Sequence, residues 1–219
     1  MPPNRTIAIL KDLGIIAFLV LFPHFFPLPF YTYAVVCFGV AWMLLRKEGK
    51  TFKSIGLAAN CITIKAVIIA IASAIAWVIF MQLVYIPLIK HLFAVPDYTE
   101  YDFITKSVPT FLTTIAAAWL IGGFYEEVLF RGYMLYLLEK RLLKSAGMLP
   151  AVTATGVLFG LYHWQQGTFG IIAGALGGIF WGILYKRTGN NLWIPIFSHA
   201  LFDTITLVLI YIGRFGHLY

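Results

Sequence analysis

Charge is what this chain has least of. Only 11% of its 219 residues are Asp, Glu, Lys or Arg, against about a quarter in an ordinary soluble domain, and its mean hydropathy is +0.87. That excludes a soluble globular domain and fits an integral membrane protein. Cysteine is scarce as well: Cys37 and Cys61 lack the spacing of a disulfide framework or a metal knuckle and read as packing residues. There is no low-complexity tract, no repeat period and no His-Glu-x-x-His run of the zinc-peptidase kind. The first apolar run follows Arg5 and Lys11, as in a signal peptide, but continues into Phe22 and Pro23 without a small-residue cleavage site, so it is expected to stay on as an anchor. The net charge of +7 is not a nucleic-acid footprint, because the basic residues fall in short blocks between apolar runs.

Long apolar runs are what the chain has instead. A spanning helix takes about 20 apolar residues, and seven candidates are present: 11–22 with its flanks, 31–45, 66–89, 109–138, 149–164, 169–185 and 192–212. Pro23, Pro27 and Pro29 separate the first two. The expected fold is all-α, a polytopic transmembrane helix bundle of about seven spans, with an eighth helix a candidate between 90 and 108. Arg5 and Lys11, the block from Arg46 to Lys65, Lys140 with Arg141 and Lys144, and Lys186 with Arg187 all fall on one side of it. The positive-inside rule makes that side, and the N-terminus, cytoplasmic. Gly170, Gly174, Gly178 and Gly182 recur once per turn in the sixth run, a stripe that reads as a helix-packing surface. Trp164 and Trp193, near run ends, read as interfacial anchors.

Against this background a few polar residues stand out. Glu126, Glu127 and Arg131 lie in one apolar run, His163 in the next, and His199 and Asp203 in the last. A charge at bilayer depth costs roughly 2.5 to 3.5 kcal/mol, so such groups face a cavity, a partner or a reaction. Residues four apart share a helix face, whereas adjacent ones diverge by about 100°. Glu127 is therefore expected to pair with Arg131, leaving Glu126 to point elsewhere as the candidate acid or base. Phe159 sets an aromatic ring beside His163 on the same face, and His199 and Asp203 share a face. Glu126 and His163 each lie roughly a dozen residues from their cytoplasmic ends, on the order of 20 Å at 1.5 Å per residue, so three helices can meet at one level.

These residues carry a resemblance. Glu126-Glu127-Val-Leu-Phe-Arg131, then Phe159-Gly-Leu-Tyr-His163, then His199-Ala-Leu-Phe-Asp203 resemble, in order, the three motifs of the CAAX protease and bacteriocin-processing family of intramembrane proteases, which includes the type II CAAX prenyl endopeptidases. The resemblance covers roughly residues 119 to 205. It implies a single integrated domain with N-terminal helices and loop in 1–107 and the catalytic helical core in 108–213. It implies a peptidase, with Glu126, His163, His199 and Asp203 catalytic and Glu127, Arg131 and Phe159 supporting. Family members cut after a prenylated cysteine or act in bacteriocin maturation and immunity, so the expected partners are a peptide or membrane-associated protein substrate and the lipid bilayer, with no nucleic acid.

The preferred chemistry is hydrolysis in a water-filled cavity open to the cytoplasm or laterally to the membrane. Glu126, oriented with His163, activates water, and His199 stabilises the oxyanion with Asp203 holding its ring. Asp203 stands where the resemblance admits Asn or Asp, and unlike an Asn it cannot donate while ionised. No cofactor is required in this reading. The alternative uses a divalent metal such as zinc, held by Glu126, His163 and His199. Serine catalysis is disfavoured because Ser198 adjoins His199 and so diverges from it. Two other classes remain: a nonenzymatic immunity or scaffold protein, and a proton-coupled transporter, although no inverted halves are visible. A prokaryotic plasma (inner) membrane is the expected location.

Overall fold

The computed structural model describes residues 5–25, 31–93, 101–144 and 146–215, and every regular element among them is a helix. Helix α1 is Arg5–Phe25, α2 Thr32–Lys47, α3 Ile64–Leu92 and α4 Val108–Leu142. After these come α5, Met148–Tyr162, α6, Gly167–Arg187, and α7, Trp193–Tyr211. Local chemistry sets the starts: Thr63 caps α3 by accepting the Ala66 N–H at 3.1 Å, and Ser107 caps α4 by accepting the Thr110 N–H at 3.2 Å. The end of α6 is closed by Gly189, at φ +73°, with the Asn190 N–H returning to the Tyr185 carbonyl at 2.9 Å, the glycine-dependent closure of a Schellman turn.

All seven expected runs are helical, but five are long and apolar enough to cross a membrane: α1, α3, α4, α6 with its preceding turn, and α7. Helices α2 and α5, at 16 and 15 residues, fall short of the roughly 20 needed. α5 is short because the chain turns at His163 and a single 3-10 turn, Trp164–Gln166, leads directly into α6. Of the eighth candidate, a single turn, Asp102–Thr105, is seen; residues 94–100 lie outside the described residues.

The helices alternate in direction, giving the bundle two unlike ends. At one end Arg141 bridges Asp12 and Glu48, each at 2.6 Å, and Lys186 pairs with Glu139 at 3.0 Å, joining α1, α2, α4 and α6. The 51–62 connection is strapped across this end: the Tyr185 hydroxyl donates to the Ile55 carbonyl, Trp193 Nε1 to that of Ala58 and Asn191 Nδ2 to that of Cys61, at 2.9, 3.0 and 2.8 Å. At the other end the joins are aromatic, His24 on Tyr162, Tyr85 on Phe169 and Phe111 on Tyr211, with centroids 4.9, 5.2 and 4.5 Å apart.

α4 runs through the centre, with Val128 to Leu135 buried without a break. Its middle is bonded i→i+5 rather than i→i+4 over Ala118–Glu126 and Val128–Met134, a widened turn that in other proteins concentrates at functional sites. Small residues set the neighbours' approach. α5 and α6 pack backbone to backbone: a Cβ on Gly178 would stand 2.5 Å from the Gly156 Cα, and one on Gly174 3.1 Å from the Gly160 Cα. The glycine stripe is thus a packing surface, met by a second pair of glycines on α5.

Candidate active site

Glu127 and Arg131 are the most deeply buried charges, at 0% and 1% exposure. A guanidinium nitrogen lies 3.0 Å from Glu127 Oε1, yet none of the Arg131 nitrogens has hydrogen-bond geometry toward a partner, and Glu127 Oε2 has none either. The pair is therefore held by charge and enclosure rather than by a fork of hydrogen bonds. The guanidinium carbon sits 4.1 Å from the centroid of Phe159 and 5.5 Å from that of Trp181, so two aromatic faces on α5 and α6 supply the rest of its environment. Phe159 consequently serves Arg131 as well as His163, whose ring it meets edge-on at 4.6 Å.

Glu127 also holds His199. The Nδ1 of His199 donates to Glu127 Oε1 at 2.8 Å, while its Nε2 stands 3.7 Å from Asp203 Oδ1. The shared helix face does bring Asp203 near the ring, but the hydrogen bond that fixes the ring comes from α4. One carboxylate oxygen thus serves both Arg131 and His199, which sequence spacing did not reveal because it counts only neighbours on one helix. Trp181 stacks on His199 at 4.0 Å and 22°, and is itself fixed by donating to Ser198 Oγ at 3.1 Å, which accepts from Ser73 at 3.0 Å. Trp181, Ser198 and Ser73 had no motif to announce them.

Glu126 faces the other way. It lines a cavity of about 290 Å³ together with His163, His199 and Asp203, whereas Glu127 and Arg131 lie behind that wall. The Nδ1 of His163 is 2.8 Å from the Phe159 carbonyl. A carbonyl only accepts, so Nδ1 carries the proton and the neutral ring offers its lone pair at Nε2. Gly122 makes room for Asp203, since a Cβ there would collide with its carboxylate; the Gly122-Gly123 pair just before Glu126 was a readable sign of close helix approach. A second cavity of about 190 Å³ adjoins the first, sharing His163, His199 and Asp203 but walled by Trp77, Phe159, Phe169 and Trp181.

The first cavity runs from Glu126 past Gly122 to Thr114, Tyr31 and Ile210. Those residues belong to the aromatic-joined end, away from the basic loops. The expected openings are cytoplasmic or lateral to the membrane, and the lining at this end lies away from the basic loops. Among the described residues no three His, Cys, Asp or Glu side chains gather as a metal-ligand group; Glu127 and the Phe159 carbonyl engage Nδ1 of His199 and of His163, which leaves Nε2 of each ring outside those bonds.

A polar, carboxylate- and imidazole-lined cavity enclosed by apolar helices defines an integral membrane protein with an intramembrane site. Residues 108–205 match the family model of the type II CAAX prenyl endopeptidase Rce1-like proteins. That stretch contains all three motifs, and the match agrees with their resemblance to the CAAX protease and bacteriocin-processing family. No curated protein and no solved structure matches the chain.

Proposed function

We infer that the protein is an intramembrane endopeptidase that hydrolyses a peptide bond in a membrane-associated protein or peptide, a prenylated C-terminus being one substrate the family match admits. It sits in a prokaryotic plasma membrane with its N-terminus in the cytoplasm, crosses it about seven times, with α2 and α5 as short spans, and uses a glutamate-activated water. The observation that carries this reading is the common cavity of Glu126, His163, His199 and Asp203, reached from three helices and backed by an apolar wall.

The Glu126 carboxylate takes a proton from a water whose position His163 Nε2 fixes by accepting a hydrogen bond from its other O–H. The water oxygen bonds to the scissile carbonyl carbon, and the carbonyl electrons move onto its oxygen. For His199 to donate to that oxyanion from Nε2 while Nδ1 donates to Glu127, the ring carries both protons, and Glu127 and Asp203 balance its charge. The Glu126 proton then passes to the leaving nitrogen as the oxyanion electrons re-form the carbonyl and the C–N bond breaks, giving an amine and a carboxylic acid that ionises by losing its remaining proton to water. Glu127 and Arg131 position His199, and Trp181 holds the plane of its ring.

The test compares wild type with Glu126→Gln in native membranes at matched expression, cataloguing new protein ends by terminal proteomics. A set of ends lost in the variant, with its melting temperature unchanged, supports the reading and identifies the substrate and cut site together. An active, well-folded Glu126→Gln protein removes the base from the mechanism. Unchanged ends under conditions where the protein matters to the cell shift the reading to nonenzymatic peptide binding.

A further inference from the structure

At the end of the bundle where Arg141 bridges Asp12 and Glu48, a cavity of about 430 Å³ lies between the start of α1 and the end of α4. Ile7, Ala8, Lys11 and Asp12 line it on one side and Arg141 and Leu142 on the other. The bonds of Arg141 to Asp12 and Glu48 take one N–H each of the five that a guanidinium carries. Lys11 is exposed and belongs to neither pair. Asp12 is 3% exposed and turned to Arg141, so the cavity offers an incoming group N–H donors and positive charge. Lys140 and Lys144, both exposed, stand within three residues of Arg141. An apolar track leads away from the cavity along α1. Ile7, Lys11, Gly14, Phe18, Leu21 and Phe25 recur at steps of three and four and so share one helix face. Ile7, Phe18, Leu21 and Phe25 are 63, 38, 46 and 62% exposed, and nothing lies within 4 Å of a Cβ on Gly14, which leaves an open notch between the charge and the first phenyl ring.

We propose that this cavity holds the phosphate head group of an anionic phospholipid, with one acyl chain lying along the face of Gly14, Phe18 and Leu21. Basic pockets between spanning helices at the membrane surface hold such head groups. A guanidinium beside an ammonium gives phosphate oxygens both directed N–H donors and a point charge, and the exposed α1 face gives the chain an apolar bed. A lipid so held joins α1 to α4, the helix that carries Glu126, and adds a second link to the one that Arg141 makes with Asp12. None of the residues around this cavity lines the one at Glu126, so the proposal stands apart from the peptidase reading.

Native mass spectrometry of the purified protein, released from micelles holding equal amounts of phosphatidylglycerol and phosphatidylcholine, reads the site directly. Expected is retention of phosphatidylglycerol in preference to phosphatidylcholine. Lys11→Gln, which removes a cation that neither ion pair uses, is expected to lower that retention about fivefold. Ala8→Phe, which fills the cavity without changing charge, is expected to abolish the preference. Lys65→Gln, the same charge lost from an exposed position at the start of α3, is expected to leave it unchanged. Thermal midpoints in lipid-free detergent show which variants are folded; where Ala8→Phe melts below wild type, Lys11→Gln against Lys65→Gln carries the decision. Equal retention of the two lipids by wild type, or an equal loss in Lys11→Gln and Lys65→Gln, overturns the proposal, because the basic end then attracts anionic lipid only diffusely. Glycerol 1-phosphate displacing the lipid at matched concentration overturns it as well, by showing a site for a free phosphate.

Discussion

Glu126 and Glu127 are chemically identical neighbours with different surroundings, and the difference assigns their work. Glu126 meets a cavity, so its proton can be exchanged with water; Glu127 meets a guanidinium and an imidazole and is closed off from solvent. Removing the charge of Glu127 leaves Arg131 buried against aromatic rings with no counterion, and breaking a buried pair from one side costs about 3–5 kcal/mol. Glu127→Gln is therefore expected to lower the thermal midpoint in detergent sharply and to slow turnover through the loosened His199 ring. Glu127→Gln with Arg131→Met, which removes both charges, is expected to recover most of the midpoint and none of the activity. A single variant as stable as wild type in a thermal melt would show that the pair contributes nothing to the fold.

Helix pairs in lipid associate without the hydrophobic force available in water, so close backbone packing must supply the attraction. The α5–α6 pair does this with Gly156 and Gly160 against Gly174 and Gly178, and the same approach carries His163 to the cavity and Trp181 to His199. Gly178→Ala places a methyl against the Gly156 backbone, which has no flexible side chain to move aside. The expected loss is about 1–3 kcal/mol, the usual cost of overpacking, read as a lower thermal midpoint together with reduced turnover. Gly14→Ala on α1, where nothing lies within 4 Å of the added carbon, is the control and is expected to be neutral or slightly stabilising by about 0.5–1 kcal/mol. Equal effects at the two positions would remove the close-approach argument.

The bundle as a whole is sealed at its basic end by ion pairs and a hydrogen-bonded strap. Glu48 is the hub of the charges there, reached by the Tyr136 hydroxyl at 2.6 Å, by Arg141 at 2.6 Å and by Lys50 at 3.3 Å. Burial alone would raise its carboxyl; the Tyr136 hydroxyl, Arg141 and Lys50 outweigh burial and hold it below its ordinary value. A carboxylate held low contributes stability above its unfolded value and loses it as pH falls through the folded one. Wild type is thus expected to lose its stability advantage over Glu48→Gln from about pH 4.5 downward, measured as thermal midpoint against pH. A gap that stays constant to low pH would mean that Glu48 acts by packing alone.

Composition was enough to establish a membrane protein, because no soluble fold hides so few charges among so many apolar residues. The lengths of the apolar runs located seven helices, and the motif spacings named four residues that line one cavity, because each motif lies within or at the end of a single helix and helical geometry is local. Two matters were not legible. Which carboxylate fixes the His199 ring, and toward which end the cavity opens, depend on the relative height and rotation of α4, α5 and α7. Close contacts distant in sequence set those, Gly123 on Ala200, Gly178 on Gly156 and Ile55 on Gly132. Widened turns in α4 and the strap over the basic end then fix the outcome, and neither leaves a periodic trace along the chain.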